Sequence, residues 1–127
     1  HSFTLEGTVS KGNQLGSQIG FPTANIELFE PNKLIPGSGV FIAKAYYEDR
    51  MIDGMLNIGY RPTISGEHKT IEIHLLNFNE MIYGEHLTIE LIKKIRDENK
   101  FDNIEDLKQQ IQRDKEVVIQ YLNNTRK

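Results

Sequence analysis

The run Gly20-Phe21-Pro22-Thr23-Ala24-Asn25 sets a hydroxyl and a carboxamide two residues apart, directly after a rigid proline. In an extended chain alternate residues share a face, so Thr23 and Asn25 point the same way. Their oxygens are hard ligands that suit magnesium, and the amide N–H₂ can donate to a phosphate oxygen. The simpler reading is a turn followed by a strand start, with both side chains satisfying backbone groups. Glu72 lies within Thr70-Ile71-Glu72-Ile73-His74-Leu75, on the face opposite Ile71, Ile73 and Leu75. A carboxylate so placed could orient and deprotonate a hydroxyl nucleophile. Glutamate is depleted in strands, yet on pattern alone Glu72 reads as a solvent-facing residue of a half-exposed sheet. His74 has no second histidine or carboxylate at metal-ligand spacing. Arg96, beside Asp97 and Glu98, reads most simply as a surface ion-pair former.

A second candidate is the glycine series Gly7, Gly12, Gly16 and Gly20. It is neither the G-x-G-x-x-G dinucleotide fingerprint nor a G-x-x-x-x-G-K-[ST] phosphate loop. Clustered glycines permit close backbone approach, which suits either a phosphate cradle or ordinary turns. The whole segment from Gly7 to Pro36 fits neither strand nor helix and is expected to be a long loop, a kind that is usually functional.

The elements that must position these residues mostly show a period of two. Strands are expected from Phe3 to about Val9, over Gly39-Val40-Phe41-Ile42-Ala43-Lys44-Ala45-Tyr46-Tyr47, from Met51 to Ile58, over Thr70–Leu75 and over Leu87–Leu91. Glu48-Asp49-Arg50 joins the second and third as a hairpin. Asn57-Ile58-Gly59-Tyr60-Arg61-Pro62-Thr63 reads as a turn. Strands without intervening helices mean antiparallel pairing, and a closed barrel leaves no edges exposed. After residue 96 the period changes. Ile104, Leu107, Ile111, Val118 and Leu122 form one face of an amphipathic helix, with Asp102 and Glu105 as its expected capping pair. Asp114 interrupts that stripe and is expected to reach solvent at its edge.

Composition narrows the classes. The 127 residues suit one domain spanning 1–127, with a barrel over about 3–96 and a helix over about 103–123. Fifteen basic residues face 18 acidic ones, a net charge of -3, and neither half of the chain is basic. A phosphate-backbone footprint for nucleic acid is therefore not expected. The absence of cysteine removes disulfides, thiolate catalysis and zinc–thiolate sites. No run approaches the roughly 18 apolar residues of a membrane span, so no membrane partner and a cytoplasmic location are expected. The start at His1-Ser2, without a Met, suggests either an expression scar or a cut from a longer protein.

Together these pieces resemble the riboflavin kinase family, including the kinase module of bacterial bifunctional riboflavin kinase/FAD synthetases. The resemblance runs from about Phe3 to Val118. It rests on Gly7-x-Val9, Gly20-Phe21-Pro22-Thr23-Ala24-Asn25, Gly39-Val40-Phe41, Asn57-x-Gly59-x-x-Pro62-Thr63, Glu72-x-His74, Tyr83-Gly84 and Arg96-x-Glu98-x-x-Phe101. It implies a mainly β fold: a closed antiparallel six-stranded Greek-key barrel with a C-terminal helix. It also implies transfer of the ATP γ-phosphate to the 5′-hydroxyl of riboflavin, with Mg2+ accompanying ATP and no tightly bound prosthetic group. On this resemblance Thr23 and Asn25 serve Mg-ATP and its metal, and Glu72 is the catalytic base. Lys11, Gly12, Gly16 and Gly20 shape the nucleotide-covering loop, while Arg96 and Asn57 lie at the flavin. Lys11 is the one charged residue of that loop, which is less basic than bacterial members often are. An N-terminal FMN adenylyltransferase module in the full-length protein is implied as well. A non-catalytic barrel binding flavin, protein or single-stranded nucleic acid is the alternative.

Overall fold

The structure is a computed structural model that describes residues 3–11, 23–30, 34–64 and 66–125. Among the described residues, six strands, β1 (Phe3–Lys11), β2 (Ala24–Leu28), β3 (Gly39–Tyr47), β4 (Arg50–Thr63), β5 (Gly66–Leu75) and β6 (His86–Arg96), precede one helix, α1 (Ile104–Thr125). They close into a barrel in the order β1-β2-β5-β4-β3-β6, antiparallel at every seam. Strands β3, β4 and β5 follow one another as hairpins, and β6 returns beside β3, which is the Greek-key pattern. The sequence-predicted fold class is the observed one.

The period-two pattern explains how the barrel fills. Leu5, Val9, Ile26, Leu56, Ile58, Ile71, Ile73, Leu87 and Ile89 are buried together inside it. Residues between them point outward. On part of that outer face a second apolar cluster forms, where Ile42, Met55 and Leu76 meet Val118 and Leu122 of α1. The helix therefore packs on the outside of the barrel, and its predicted stripe is buried most completely at its C-terminal half.

Four expectations need correction. The segment from Gly7 to Pro36 is not one long loop: β1 runs on to Lys11, and Ala24–Leu28 forms β2. Asn57 to Thr63 is not a turn but the end of β4, paired residue by residue with β5 from Glu72 to Gly66. The helix cap is Asn103 rather than Asp102. Its Oδ1 accepts the Asp106 N–H at 2.8 Å and its Nδ2 donates to the Asp106 carboxylate, a reciprocal cap that satisfies a backbone donor. Asp114 does not reach solvent: it is 4% exposed and ion-paired. Among the described residues no helix is long and apolar enough to cross a membrane.

Candidate active site

Strand register brings the candidate residues into one row. Ser10 of β1 pairs with Asn25 of β2, Asn25 with Glu72 of β5, Glu72 with Asn57 of β4, Asn57 with Val40 of β3, and Val40 with Arg96 of β6. Cross-strand partners share a face. Since Ile71 and Ile73 point into the core, Glu72 and its row lie on the outer surface. Adjacent strands are about 4.8 Å apart, so Glu72 and Arg96, three steps from each other, are separated by roughly 14 Å.

At the β2–β5 seam the contacts become specific. Thr23, just before β2, donates its hydroxyl to Glu72 Oε2 at 3.0 Å. Asn25 donates its Nδ2 to Ser10 Oγ at 3.3 Å, and Ser10 Oγ bonds back to the Asn25 carbonyl at 3.4 Å. With its N–H₂ turned to Ser10, the Asn25 amide offers its oxygen on the other side. Strands β2 and β5 share two register pairs, Ala24↔Ile73 and Asn25↔Glu72, against five between β1 and β2. The seam is thus held at the site and opens away from it. Thr23, Asn25 and Glu72 are all half-buried, shielded enough to hold their geometry yet open to a substrate.

These donors fit a magnesium ion brought in by phosphate. No group of three or more His, Cys, Asp or Glu that could hold a metal occurs among the described residues. The Thr23 hydroxyl and Asn25 amide oxygens could supply one or two hard ligands, with phosphate and water oxygens completing an octahedron. That is how magnesium is usually held at nucleotide sites.

Arg96 marks the other end of the row. It is no simple surface residue. Its Nε lies 2.9 and 3.0 Å from the two oxygens of Asp114, and its second terminal nitrogen donates to Oδ2 at 2.8 Å. Gln110 adds a further N–H to Asp114 at 2.9 Å. The stripe-breaking carboxylate of the helix is therefore satisfied by the last residue of the barrel. Gly39 makes room for this junction: its φ is 151°, and a Cβ there would lie 2.9 Å from the Arg96 carbonyl.

Thr23, Asn25, Glu72 and Asn57 thus form one patch, with Arg96 two strands beyond Asn57. Lys11 is placed by its backbone pairing with Ala24, while Gly12, Gly16 and Gly20 lie outside the described residues. Sequence reasoning missed Ser10 and the Arg96–Asp114 pair. Ser10 offers no signal of its own. Asp114 did offer one, since a carboxylate on an apolar stripe requires either an exit to water or a cationic partner.

A family model described as riboflavin kinase, or flavokinase, matches residues 1–122. The chain is 40% identical over 128 residues to the bifunctional riboflavin kinase/FMN adenylyltransferase of Bacillus subtilis, covering 98% of this chain and 40% of that protein. It is 42% identical over 113 residues to the RNA-binding riboflavin kinase RibR of the same organism, covering 87% of this chain and 47% of that one. The chain spans less than half the length of these curated relatives. Among solved structures, a Streptococcus pneumoniae protein described as a macrolide-efflux protein superposes with a TM-score of 0.85 at 33% identity, over 91% of this chain and 38% of that one. Riboflavin kinase from Trypanosoma brucei superposes with a TM-score of 0.63 at 25% identity, over 96% of this chain and 80% of the other. Fold, matched length and identity converge: this chain belongs to the riboflavin kinase family.

Proposed function

We propose that this chain transfers the γ-phosphoryl group of ATP to the 5′-hydroxyl of riboflavin, giving FMN and ADP. The observation that carries the reading is Glu72, hydrogen-bonded by Thr23 and flanked in register by Asn25 and Asn57. Thr23 and Asn25 hold the phosphate end of ATP and its Mg2+. Asn57 and Arg96, on the other side of Glu72, serve the flavin. Bound magnesium neutralises charge on the phosphates and helps align them. Glu72 accepts the hydroxyl proton as the new oxygen–phosphorus bond forms and the bond to the ADP oxygen breaks. A loose phosphoryl-transfer transition state asks for little early deprotonation, so part of Glu72's contribution is orientation. The Thr23 hydroxyl fixes the carboxylate in that orientation while its lone pairs remain for the cation.

The residues 1–127 act here as one kinase domain, and an adenylyltransferase module in the full-length protein, as in the bifunctional relatives, would convert FMN to FAD. RNA is not among the proposed partners, because acidic residues outnumber basic ones in this chain and RNA binding draws on a basic footprint.

Glu72→Gln tests the reading. It keeps the size and an acceptor for Thr23 but removes the base. Positioned bases are worth about 10²–10⁴ in rate, so kcat is expected to fall by that range with both substrates still bound. Turnover within about threefold of wild type, far below that range, would leave Glu72 as an ordinary strand residue.

A further inference from the structure

We infer that Asp114, which touches no reacting atom, is a positioning residue for the flavin end of the site, acting through Arg96. The inference rests on the kinase reading above. Four short N–H contacts converge on this one carboxylate, three from Arg96 and one from Gln110, and its side chain is 6% exposed. Helix docking alone does not call for such a group. Val118 and Leu122 already dock α1 against Ile42, Met55 and Leu76, and an apolar residue in place of a buried ion pair is often neutral or stabilising.

What the charge does is hold a guanidinium in one plane. That guanidinium has one terminal nitrogen left, and it donates to the Asp97 carbonyl at 3.0 Å. Its centre also lies 6.0 Å from the Phe101 ring centroid, within cation–π range. Asp114 therefore fixes, through Arg96, the stretch from Asp97 to Phe101 that connects β6 to α1. Lys94 pins the same stretch from the other side, bonding Asp97 at 2.7 Å.

The position matters for a substrate whose hydroxyl meets Glu72. From that hydroxyl the ribityl chain leads away to three fused rings, which fall two to three strand spacings off, roughly 10–14 Å. On the side away from Thr23 and Asn25, that distance reaches Val40, Arg96 and the 97–101 stretch. A misaligned guanidinium would loosen the flavin's ring end and leave the phosphate end untouched.

The test is Asp114→Asn, which keeps shape and removes charge, with initial rates measured against riboflavin and ATP separately. The KM for riboflavin should rise roughly tenfold, the loss of about one charge-assisted contact, while the KM for ATP and kcat stay within about threefold. Amide exchange should quicken in residues 97–103 and not in β5. A lowered melting temperature with an unchanged riboflavin KM, or both KM values rising together, would reduce Asp114 to helix docking and overturn the inference. If Asp114→Asn does not fold, Gln110→Met, which removes only the fourth contact to the carboxylate, carries the test. It should raise the riboflavin KM alone, and no change there would be equally fatal. Failure of the wild-type chain to make FMN is a different outcome: it would sink the kinase reading itself.

Discussion

In the proposed reaction Thr23 would join two functions at one hydroxyl: it donates to Glu72, and its oxygen would hold the cation. Thr23→Val keeps the shape and removes both. Losing one oxygen ligand or charge-assisted bond costs about 1.5–3 kcal/mol, so the KM for Mg-ATP should rise markedly and kcat should drop as Glu72 loses its orientation. Riboflavin binding without nucleotide should barely change. Rates titrated with magnesium check this, and an unaltered magnesium dependence would remove Thr23 from the nucleotide end. At this scale the sequence was partly legible. Alternation in Thr70–Leu75 put Glu72 opposite the core residues, and an extended chain after Pro22 put Thr23 and Asn25 on a common side. It could not show that the two groups meet, because Thr23 and Glu72 are 49 positions apart and no periodicity encodes a register between distant strands. Asp114 and Arg96, 18 positions apart on a helix and a strand, escaped for the same reason.

Elements hold the row in line through close backbone approach at one seam and apolar packing at another. A Cβ at Gly54 would stand 2.8 Å from the His74 carbonyl oxygen, so β4 and β5 lie together as they do because residue 54 has no side chain. Gly54→Ala should force them apart at a cost of about 1–3 kcal/mol, seen as a lower unfolding midpoint in denaturant. Leu122, 3% exposed between α1 and the barrel, is the matching test of helix docking. Leu122→Ala is expected to lose about 2–5 kcal/mol, and a loss below 0.5 kcal/mol, the range of surface changes, would mean that α1 is not part of the fold's core. Strands with clean alternation, such as β5 and β6, were readable. Short β2 was not, since five residues after a glycine- and proline-rich run carry too little pattern to stand out. The end of β4 was hidden by Gly59 and Pro62, whose turn propensity yields to ten paired positions with β5.

The whole molecule is a closed barrel whose interior is apolar and whose outer face carries both the site and the helix. The six strands close through antiparallel pairing at every seam, and the Greek-key return of β6 beside β3 puts Arg96 in the row of Glu72. The Glu72–Arg96 row thus exists only in the closed barrel, so flavin binding should be lost in the same cooperative transition as the fold. Riboflavin fluorescence quenching and far-UV circular dichroism followed through one thermal melt should give coincident midpoints. The most direct measurement is product analysis of this 127-residue chain with riboflavin and Mg-ATP, by chromatography of flavins and nucleotides together. FMN and ADP formed in equal amounts are the expected products. No flavin phosphate, or a riboflavin adenylate with pyrophosphate in place of FMN and ADP, would contradict phosphoryl transfer at Glu72.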